Sequence, residues 1–595
     1  MNGKLYDRVV LIVLSSLLTA SSLLLIFSNP AGYSYNLYSQ IPSKFWIVAI
    51  VSLILILARL FIYHMNYNQV ERKVIWYILI MLMFYVQILI IPYALEYILI
   101  NRTDEMYIPG EIKNIFETSH FYQEYDKYPL VSILYSSLFI ITKLSYIKYI
   151  ILIPVIFSVL YVFSLWSIFR NAYTRNQDHL IFGVLLSFIY YVSFYHVSAH
   201  PAFYSFTLSV LLIYLILSDR FLKSSSGKLL VATILISLPF SHPYYVTTSL
   251  MFLGSLVVYE VVVKKISKVH FKTYLNYITL TLILFLMWIF YNPAASYEFS
   301  GIMNAIKNAY VEPATTEGLS KVSKLTEYEI GIFIFGYLGR FSILAILITL
   351  LILSLIKRED FRHITSSNIK TWYVVLVLTT IQLILMFVPM FSHYPERHLN
   401  INYFSVAFPL GILLLASYSP NQRKLKKMII FLFISIALIM SVFSIYMYPG
   451  ISFRPNSGIT SNEIISTGFI FTHKAKDIVI FSPYDQIAKR YCEFINLSTY
   501  HNCRYKNIKY LYQKVFPDKH FGYTEFGRFT ILVPISNAYI LLSDYALQTY
   551  FNIPPYQRTQ RLSKADYFRM NSDRSLDKIY SGLNIRIYLY QKRNT

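Results

Sequence analysis

Long apolar stretches follow one another along most of this chain. Each is about 17 to 25 residues long, the length that a helix needs to cross a hydrocarbon layer about 30 Å thick. Of the 595 residues, 56% are hydrophobic and 14% are charged, whereas a soluble domain carries about 25% charged residues. The sequence therefore excludes a soluble globular protein and predicts a polytopic α-helical membrane protein.

Thirteen of the stretches are predicted to span the membrane. The first begins directly after the amino-terminal residues and is followed by no small-residue cleavage site, so we interpret it as a retained helix. The thirteen spans lie near residues 8–27, 45–63, 74–98, 149–169, 180–194, 203–218, 229–240, 246–263, 274–291, 330–356, 372–390, 399–416 and 428–448.

A further apolar segment, 130–145, is too short to classify by length alone, and charge decides between the alternatives. If it crossed the membrane, the basic clusters at 170–175, 220–228, 264–272 and 357–362 would lie opposite the pair at 72–73. If it does not cross, all of these share one side with the basic residues at 4–8 and 423–427, as the positive-inside rule requires. We therefore predict a re-entrant or membrane-surface helix.

This topology divides the chain into two domains. Residues 1–448 form a transmembrane domain with a cytoplasmic amino terminus, and its two long outer loops are 101–129 and 292–329. Residues 449–595 form an extracytoplasmic domain. With thirteen spans, the chain is predicted to be a multi-pass protein of the cell membrane. We expect this domain to be α/β or α+β, because helix-compatible segments separate strand-like runs at 477–481, 529–535, 539–542 and 585–590.

The net charge of +23 would suggest a nucleic-acid partner in a soluble protein. Here the positive-inside rule accounts for most of it, so no nucleic-acid partner is predicted. The chain has no Cys-x-x-Cys pair for a zinc ribbon or an iron-sulfur site. Cys492 and Cys503 both fall in the outer domain, where a disulfide and two unpaired thiols are comparable interpretations.

Acidic residues open the first outer loop, in the run Asn-Arg-Thr-Asp-Glu from residue 101. Asp104 and Glu105 lie a few residues beyond a spanning helix, where a carboxylate can act as a general base or hold a divalent cation. The alternative is a solvated pair that caps the next helix. The same loop ends with Lys127 and Tyr128, and Pro129 then occupies the first turn of the short helix.

Histidines cluster at three predicted outer hairpins, and ionisable groups at membrane depth indicate functional sites. Each of them alone could equally be an interfacial polar residue. The residues are His196 and His200 at the first hairpin, His242 at the second, and His393, Glu396, Arg397 and His398 at the third. Because Arg397 offers a planar fork for phosphate and histidines can donate to phosphate oxygens, this face suits the headgroup of a lipid-linked phosphate.

The acidic pair, the Tyr-Pro-Leu element at Tyr128 and the outer carboxy-terminal domain together resemble the GT-C superfamily of polyprenyl-phosphate-sugar glycosyltransferases. That superfamily includes protein O-mannosyltransferases and the aminoarabinose transferases of lipid A. The resemblance implies that Asp104 activates the acceptor and that Glu105 supports it or a metal ion. It also implies that Arg397 holds the donor phosphate. Glu312, Glu317, Glu327 and Glu329 are candidates for a late-loop glutamate.

The predicted activity is therefore sugar transfer from a polyprenyl-phosphate donor to a protein, lipid or glycan acceptor on the outer face. Asp104 and Glu105 are the candidate catalytic residues, and Asp104 is the candidate ligand for Mg²⁺ or Mn²⁺. Arg397, His200, His393 and Lys127 would bind the donor phosphate, while Tyr128, His196, His242, Glu396 and His398 would line the cavity.

Two other functions remain open. A flippase for lipid-linked sugars would show inverted repeats and charges near the bilayer midplane. Arg59 and Arg340 lie inside apolar runs, but each is close enough to an end to reach the interface. A catalytically inactive membrane scaffold is the third alternative.

Overall fold

The structure of the protein is a computed structural model. It describes residues 3–28, 32–66, 72–102, 105–121, 128–143, 146–172, 178–190, 193–262, 268–297, 300, 326–330, 373–381, 406, 423–446, 453–473, 478–482, 487–495, 519–523, 529 and 536–591.

Helices make up the amino-terminal half of the chain. They are α1 (Gly3–Ile26), α2 (Leu37–Gln40), α3 (Ser43–Asn66), α4 (Arg72–Ala94), α5 (Tyr107–Thr118), α6 (Pro129–Thr142), α7 (Tyr146–Ala172), α8 (Asp178–Ser187), α9 (Pro201–Leu217), α10 (Asp219–Lys223), α11 (Ser225–Ser241), α12 (Pro243–Val262) and α13 (Lys268–Tyr291). Helix α14 (Arg423–Ser444) follows.

Six helices of the described residues are long and apolar enough to cross a membrane, namely α1, α3, α4, α7, α12 and α13. Helices α9 and α11 are apolar but shorter. The predicted class, a polytopic helical membrane protein, is confirmed. Of the other predicted spans, residues 373–381 are helical, whereas 331–356 and nearly all of 399–416 lie outside the described residues.

The predicted helix 74–98 is shorter than expected. Helix α4 ends at Ala94, two residues after Pro92, and Glu96 then takes a left-handed backbone conformation with φ of 62°. This conformation turns the chain out of the helix direction, and Tyr97–Leu99 forms strand β1. The predicted span 180–194 also ends early, since α8 stops at Ser187 and a 3₁₀ turn covers Ser193–His196.

The carboxy-terminal domain has a four-stranded sheet with helices, as predicted. Strands β3 (Val479–Phe481), β4 (Asn537–Ser543), β5 (Leu576–Ser581) and β6 (Ile585–Gln591) lie in the order β3-β4-β6-β5, and only β3 and β4 run parallel. The helices are α15 (Ser461–His473), α16 (Ile487–Ile495), α17 (Asp544–Asn552), α18 (Pro554–Gln557) and α19 (Lys564–Ser572). Strand β5 was not predicted. The predicted strand 529–535 lies, except for Phe529, outside the described residues.

A short strand attaches this domain to the bundle. Strand β2 (Ile459–Thr460) pairs antiparallel with β1, so that Tyr97 lies opposite Thr460 and Leu99 opposite Ile459. The loop between α1 and α3 contributes as well, because the Tyr33 hydroxyl donates to the Asn456 carbonyl at 2.6 Å. The ends of α1 and α4 and the start of α3 therefore face the carboxy-terminal domain, and we call this the domain side of the bundle.

Basic residues concentrate at the opposite ends of the helices. They include Arg8 of α1, Arg72 of α4, Arg170 of α7, Lys272 of α13 and Lys424 of α14. The basic ends and the domain side are therefore at opposite ends of the bundle.

Near this basic side, Arg59 of α3 forms an ion pair with Asp7 of α1. The Tyr63 hydroxyl donates to the same carboxylate at 2.8 Å. The arginine inside the apolar run is therefore neutralised by a neighbouring helix, which the sequence did not indicate.

Helix α6 begins on the domain side. The ring of Tyr128 stacks on His242, the residue that ends α11, and the Tyr135 and Tyr204 hydroxyls are hydrogen-bonded at 2.7 Å. Tyr204 lies in the first turn of α9. With 14 residues, α6 is about 21 Å long, less than the hydrocarbon thickness of about 30 Å.

Helix α6 also ends on the domain side, as the path of the following helices shows. Helix α8 leads back to this side, where the Tyr190 N–H donates to Ser441 near the end of α14 at 3.2 Å. The preceding helix α7 must therefore run away from it and start close to the end of α6. This path is compatible with a surface or re-entrant helix, and its depth in the bilayer stays a prediction.

Candidate active site

Glu105 lies at the centre of the described part of the first outer loop. Its side chain is completely buried. The carboxylate accepts hydrogen bonds from the backbone N–H groups of Ile100 at 2.8 Å and Asn101 at 2.9 Å. It also accepts one from the N–H of Ala199, in the loop before α9. Glu105 therefore ties the loop to itself and to a second hairpin.

Burial raises the pKa of the Glu105 carboxyl, while the neighbouring Ser198 side chain and the hydrogen bonds from the three backbone N–H groups act in the opposite direction. These donors consume the lone pairs of the carboxylate. In the described geometry, Glu105 therefore holds the backbone of Ile100, Asn101 and Ala199. Asp104 itself lies outside the described residues.

His196 lies in the 3₁₀ turn between α8 and α9 and is also completely buried. Its Nδ1 atom is 3.2 Å from the Tyr85 hydroxyl, and its carbonyl accepts from the Ser158 hydroxyl at 2.6 Å. The next carbonyl, of Val197, accepts from the Tyr93 hydroxyl at 2.8 Å. Helices α4 and α7 thus fix the loop that supplies the Ala199 N–H to Glu105.

Burial lowers the pKa of His196 from its ordinary value of 6.5 to about 3. Between pH 6.5 and about 3, His196 is protonated in the unfolded chain but stays neutral in the folded protein. The contribution of His196 to the free energy of unfolding should therefore be largest above pH 6.5. It should fall by about 1.4 kcal/mol per pH unit as the pH decreases toward 3. Chemical denaturation between pH 7.5 and 5 in wild type and in His196→Gln tests this, since the variant should lack that part of the slope. Equal slopes would contradict it.

Two helices on the domain side begin with a His-Pro pair. His200 precedes α9 and its Nδ1 atom accepts the Ala202 N–H at 3.1 Å, while His242 precedes α12 and its Nδ1 atom accepts the Tyr244 N–H at 3.3 Å. An Nδ1 atom that accepts leaves the proton on Nε2, which is then a donor. Both histidines can therefore present a neutral N–H donor beside the positive end of a helix dipole.

These contacts join the first outer loop to two of the three predicted histidine hairpins. Glu105 reaches Ala199, the neighbour of His200, and the Tyr128 ring stacks on His242 with centroids 4.8 Å apart and an angle of 15°. The hydroxyl pair of Tyr135 and Tyr204 joins α6 to the helix that His200 opens. The first outer loop, the start of α9 and the turn between α11 and α12 are consequently one assembly.

This chain is similar in structure to an archaeal oligosaccharyltransferase. The solved structure is AglB from Archaeoglobus fulgidus, in complex with an inhibitory peptide and a dolichol-phosphate, with a TM-score of 0.44 and 11% identity over 80% of this chain and 70% of that one. ArnT from Cupriavidus metallidurans bound to undecaprenyl phosphate is also similar, with a TM-score of 0.43 and 8% identity over 86% of this chain and 98% of that one. Neither a protein-family model nor a curated protein matches the chain.

Several predicted site residues fall where the structure gives no description. Among residues that are described, no group of three or more His, Cys, Asp or Glu side chains could hold a metal ion. Cys492 lies in α16, and its side chain is not described. The predicted residues outside the described part are Asp104, Lys127, His393, Glu396, Arg397, His398 and Cys503. Their roles, the disulfide and the metal ligand stay predictions.

The second outer loop holds one of the glutamates that the sequence left unassigned. Glu329 forms an ion pair with Arg558 of the carboxy-terminal domain. Its side chain also accepts the Thr326 N–H at 2.9 Å. Glu329 therefore connects this loop to the domain, whereas Glu312 and Glu317 lie outside the described residues.

The sequence interpretation missed Arg102 and its partner Glu463. Their side chains are 6% and 0% exposed, and they meet at 2.7 Å. The one sequence signal for Glu463 is the pattern Thr460-x-x-Glu463, which is typical of a helix start. Nothing in that pattern indicates an arginine 361 positions away.

Proposed function

We propose that this protein is a membrane glycosyltransferase that moves a sugar from a polyprenyl-phosphate donor to an acceptor on the outer face. The observation that carries the proposal is the contact of the first outer loop with two of the histidine hairpins, so that His200 and His242 lie on the same side as this loop and the carboxy-terminal domain. The proposal names the same class of lipid phosphate that the two similar structures hold, but it rests on the residues of this chain.

In the proposed reaction, an acceptor hydroxyl oxygen attacks the anomeric carbon of the donor sugar. The bond from that carbon to the phosphate oxygen breaks, and polyprenyl phosphate leaves with the electron pair. Asp104 takes the acceptor proton as a general base. Glu105 supports Asp104 by holding the neighbouring backbone.

Negative charge develops on the leaving phosphate, so donors aimed at it accelerate the step. Arg397, His393 and Lys127 are the proposed cationic or hydrogen-bonding groups, together with the Nε2–H of His200. Tyr128, His196, His242, Glu396 and His398 are the proposed surroundings of the site. Of these, the rings of Tyr128 and His242 stack on each other and would line one side of the site. His196 would act indirectly, because its contacts fix the loop that leads to His200.

Asp104 is also the proposed ligand of a divalent cation, Mg²⁺ or Mn²⁺, both of which prefer carboxylate oxygens. Such an ion would lower the pKa of a bound acceptor hydroxyl and would make Asp104 a ligand instead of a base. We further propose that the amino terminus is cytoplasmic and that the carboxy-terminal domain is extracytoplasmic, because the basic helix ends lie on the opposite side.

The decisive experiment uses the purified full chain in proteoliposomes with a labelled polyprenyl-phosphate sugar and a membrane extract as the source of acceptor. We expect label to leave the lipid and free polyprenyl phosphate to form in equal amount. Movement of intact labelled lipid between leaflets without bond cleavage would identify a flippase instead. If neither sugar transfer nor movement of the lipid occurs, the result favours the inactive scaffold.

A further inference from the structure

We propose that Arg102 and Glu463 are positioning residues through which the carboxy-terminal domain holds the acidic loop in place for sugar transfer. This inference rests on the proposed function, because Asp104 is the residue whose placement would matter. It assigns the domain a part in the transferase site and does not give Arg102 or Glu463 any contact with substrate.

Arg102 is held by hydrogen bonds and by two aromatic rings. One terminal nitrogen, Nη2, donates to both oxygens of Glu463, at 2.7 and 2.9 Å, and to the Gly458 carbonyl at 2.9 Å. The guanidinium plane lies over the rings of Tyr545 at 4.2 Å and Tyr33 at 5.1 Å. A planar, delocalised cation is needed for such a site, because an ammonium cannot stack and pair in this way.

Glu463 is fixed just as firmly from the domain. Its carboxylate accepts the Thr460 N–H at 3.1 Å, and the Thr460 hydroxyl accepts the Glu463 N–H at 3.3 Å. This reciprocal pair is a capping box at the start of α15. Asn584, from the turn between β5 and β6, donates to the same threonine hydroxyl at 2.7 Å. The arginine therefore docks on a rigid point of the domain.

The acidic loop is consequently anchored on both sides of Asp104. Before it, β1 pairs with β2 and Arg102 pairs with Glu463. After it, Glu105 bonds to the backbone of Ala199. Only Thr103 and Asp104 lie between the two anchors along the chain, so a shift of the domain would be passed to Asp104 through a very short segment.

A second ion pair of opposite polarity reaches the other outer loop. There the domain supplies the cation, Arg558, and the loop supplies the anion, Glu329, whose side chain is 9% exposed. The domain thus forms an ion pair with each of the two outer loops. It supplies the carboxylate of Glu463 to the first loop and the guanidinium of Arg558 to the second.

A buried ion pair is weak evidence for stability, because a well-packed apolar pair of similar size is often as stable or more stable. The hydrogen bonds between a guanidinium and a carboxylate are directional, however, so such a pair fixes the relative position of the two segments that it joins. The test therefore measures turnover and local order, and a matched control accounts for any general loss of stability.

The test compares Arg102→Lys and Glu463→Gln with wild type. The matched control is Arg586→Lys, which alters an ion pair with Asp544 that lies wholly inside the carboxy-terminal domain. We expect both test variants to lower kcat at least tenfold with the donor KM changed less than twofold. Amide exchange at residues 97–102 should rise at least tenfold in the same variants, and the control should change neither quantity.

Two results would overturn the inference. Unchanged exchange at 97–102 would show that the pair does not hold the loop, and an equal loss of kcat in Arg586→Lys would show that general loosening of the domain is the cause. If wild type itself transfers no sugar, the proposed function fails. The exchange measurement then still decides whether the domain holds the loop, so the two failures are distinguishable.

Discussion

Replacing Asp104 with Asn is expected to lower the rate of sugar transfer about a thousandfold. A positioned general base contributes about 10²- to 10⁴-fold to a reaction of this type, and an amide cannot accept the acceptor proton. The side chain keeps its size and shape, so folding should be unaffected. Single-turnover transfer from labelled polyprenyl-phosphate sugar in proteoliposomes measures the effect directly on the chemical step.

Glu117→Gln is the matched control for this experiment. Glu117 belongs to the same outer loop but lies on the exposed face of α5, where its side chain is 46% exposed beside Lys113. The control should transfer sugar at the wild-type rate. A wild-type rate for Asp104→Asn would remove Asp104 from the mechanism.

A metal titration separates the two roles proposed for Asp104. If Asp104 holds a divalent cation, a chelator should inactivate wild type, added Mn²⁺ or Mg²⁺ should restore it, and Asp104→Asn should respond to neither. If Asp104 is the base alone, the chelator should leave wild type active. Both outcomes are read from the same transfer assay.

The broad architecture was predictable because it depends on properties that are local in sequence. An apolar run of about twenty residues has few alternatives to a spanning helix, and basic residues such as Arg72 and Arg170 report the side on which it ends. Strands β3, β4 and β6 were found for a similar reason, since β-branched and aromatic residues favour strands. Strand β5 was missed because Asp577 and Lys578 break its apolar pattern.

The end of α4 shows where local reasoning fails. The run continues to Ile98 with Glu96 as its one charged residue after Val74, so hydropathy alone extends the helix. The chain instead leaves the helix after Pro92 because Tyr97 and Leu99 can pair with β2, which lies far away in sequence. A strand of three residues has no readable alternation, and its partner cannot be identified from a single sequence.

The candidate site shows the same division. The sequence identified Glu105 as an unusual carboxylate but could not show that its lone pairs are used by Ala199 and by its own loop. It identified His196 but not its burial. The pairs of Arg102 with Glu463 and of Glu329 with Arg558 are tertiary contacts, so no spacing rule could have predicted them.

Replacing Glu105 with Leu is expected to destabilise the protein by about 3 kcal/mol or more, since each buried donor left without a partner costs about 1 to 3 kcal/mol. The three donors are the N–H groups of Ile100, Asn101 and Ala199, none of which leucine can satisfy. Glu105→Gln is the matched control. It keeps one carbonyl oxygen in the same place, so its loss of stability should be clearly smaller.

Denaturant unfolding of the detergent-solubilised full chain measures the global effect. Amide exchange at Ile100, Asn101 and Ala199 measures the local one, and it should accelerate most in Glu105→Leu because these N–H groups lose their acceptor. A leucine variant as stable as wild type, with all three amides still protected, would mean that the carboxylate does not hold the two hairpins together. Because the first outer loop and the start of α9 are joined through this side chain, its loss should separate the acidic loop from the helix that His200 opens.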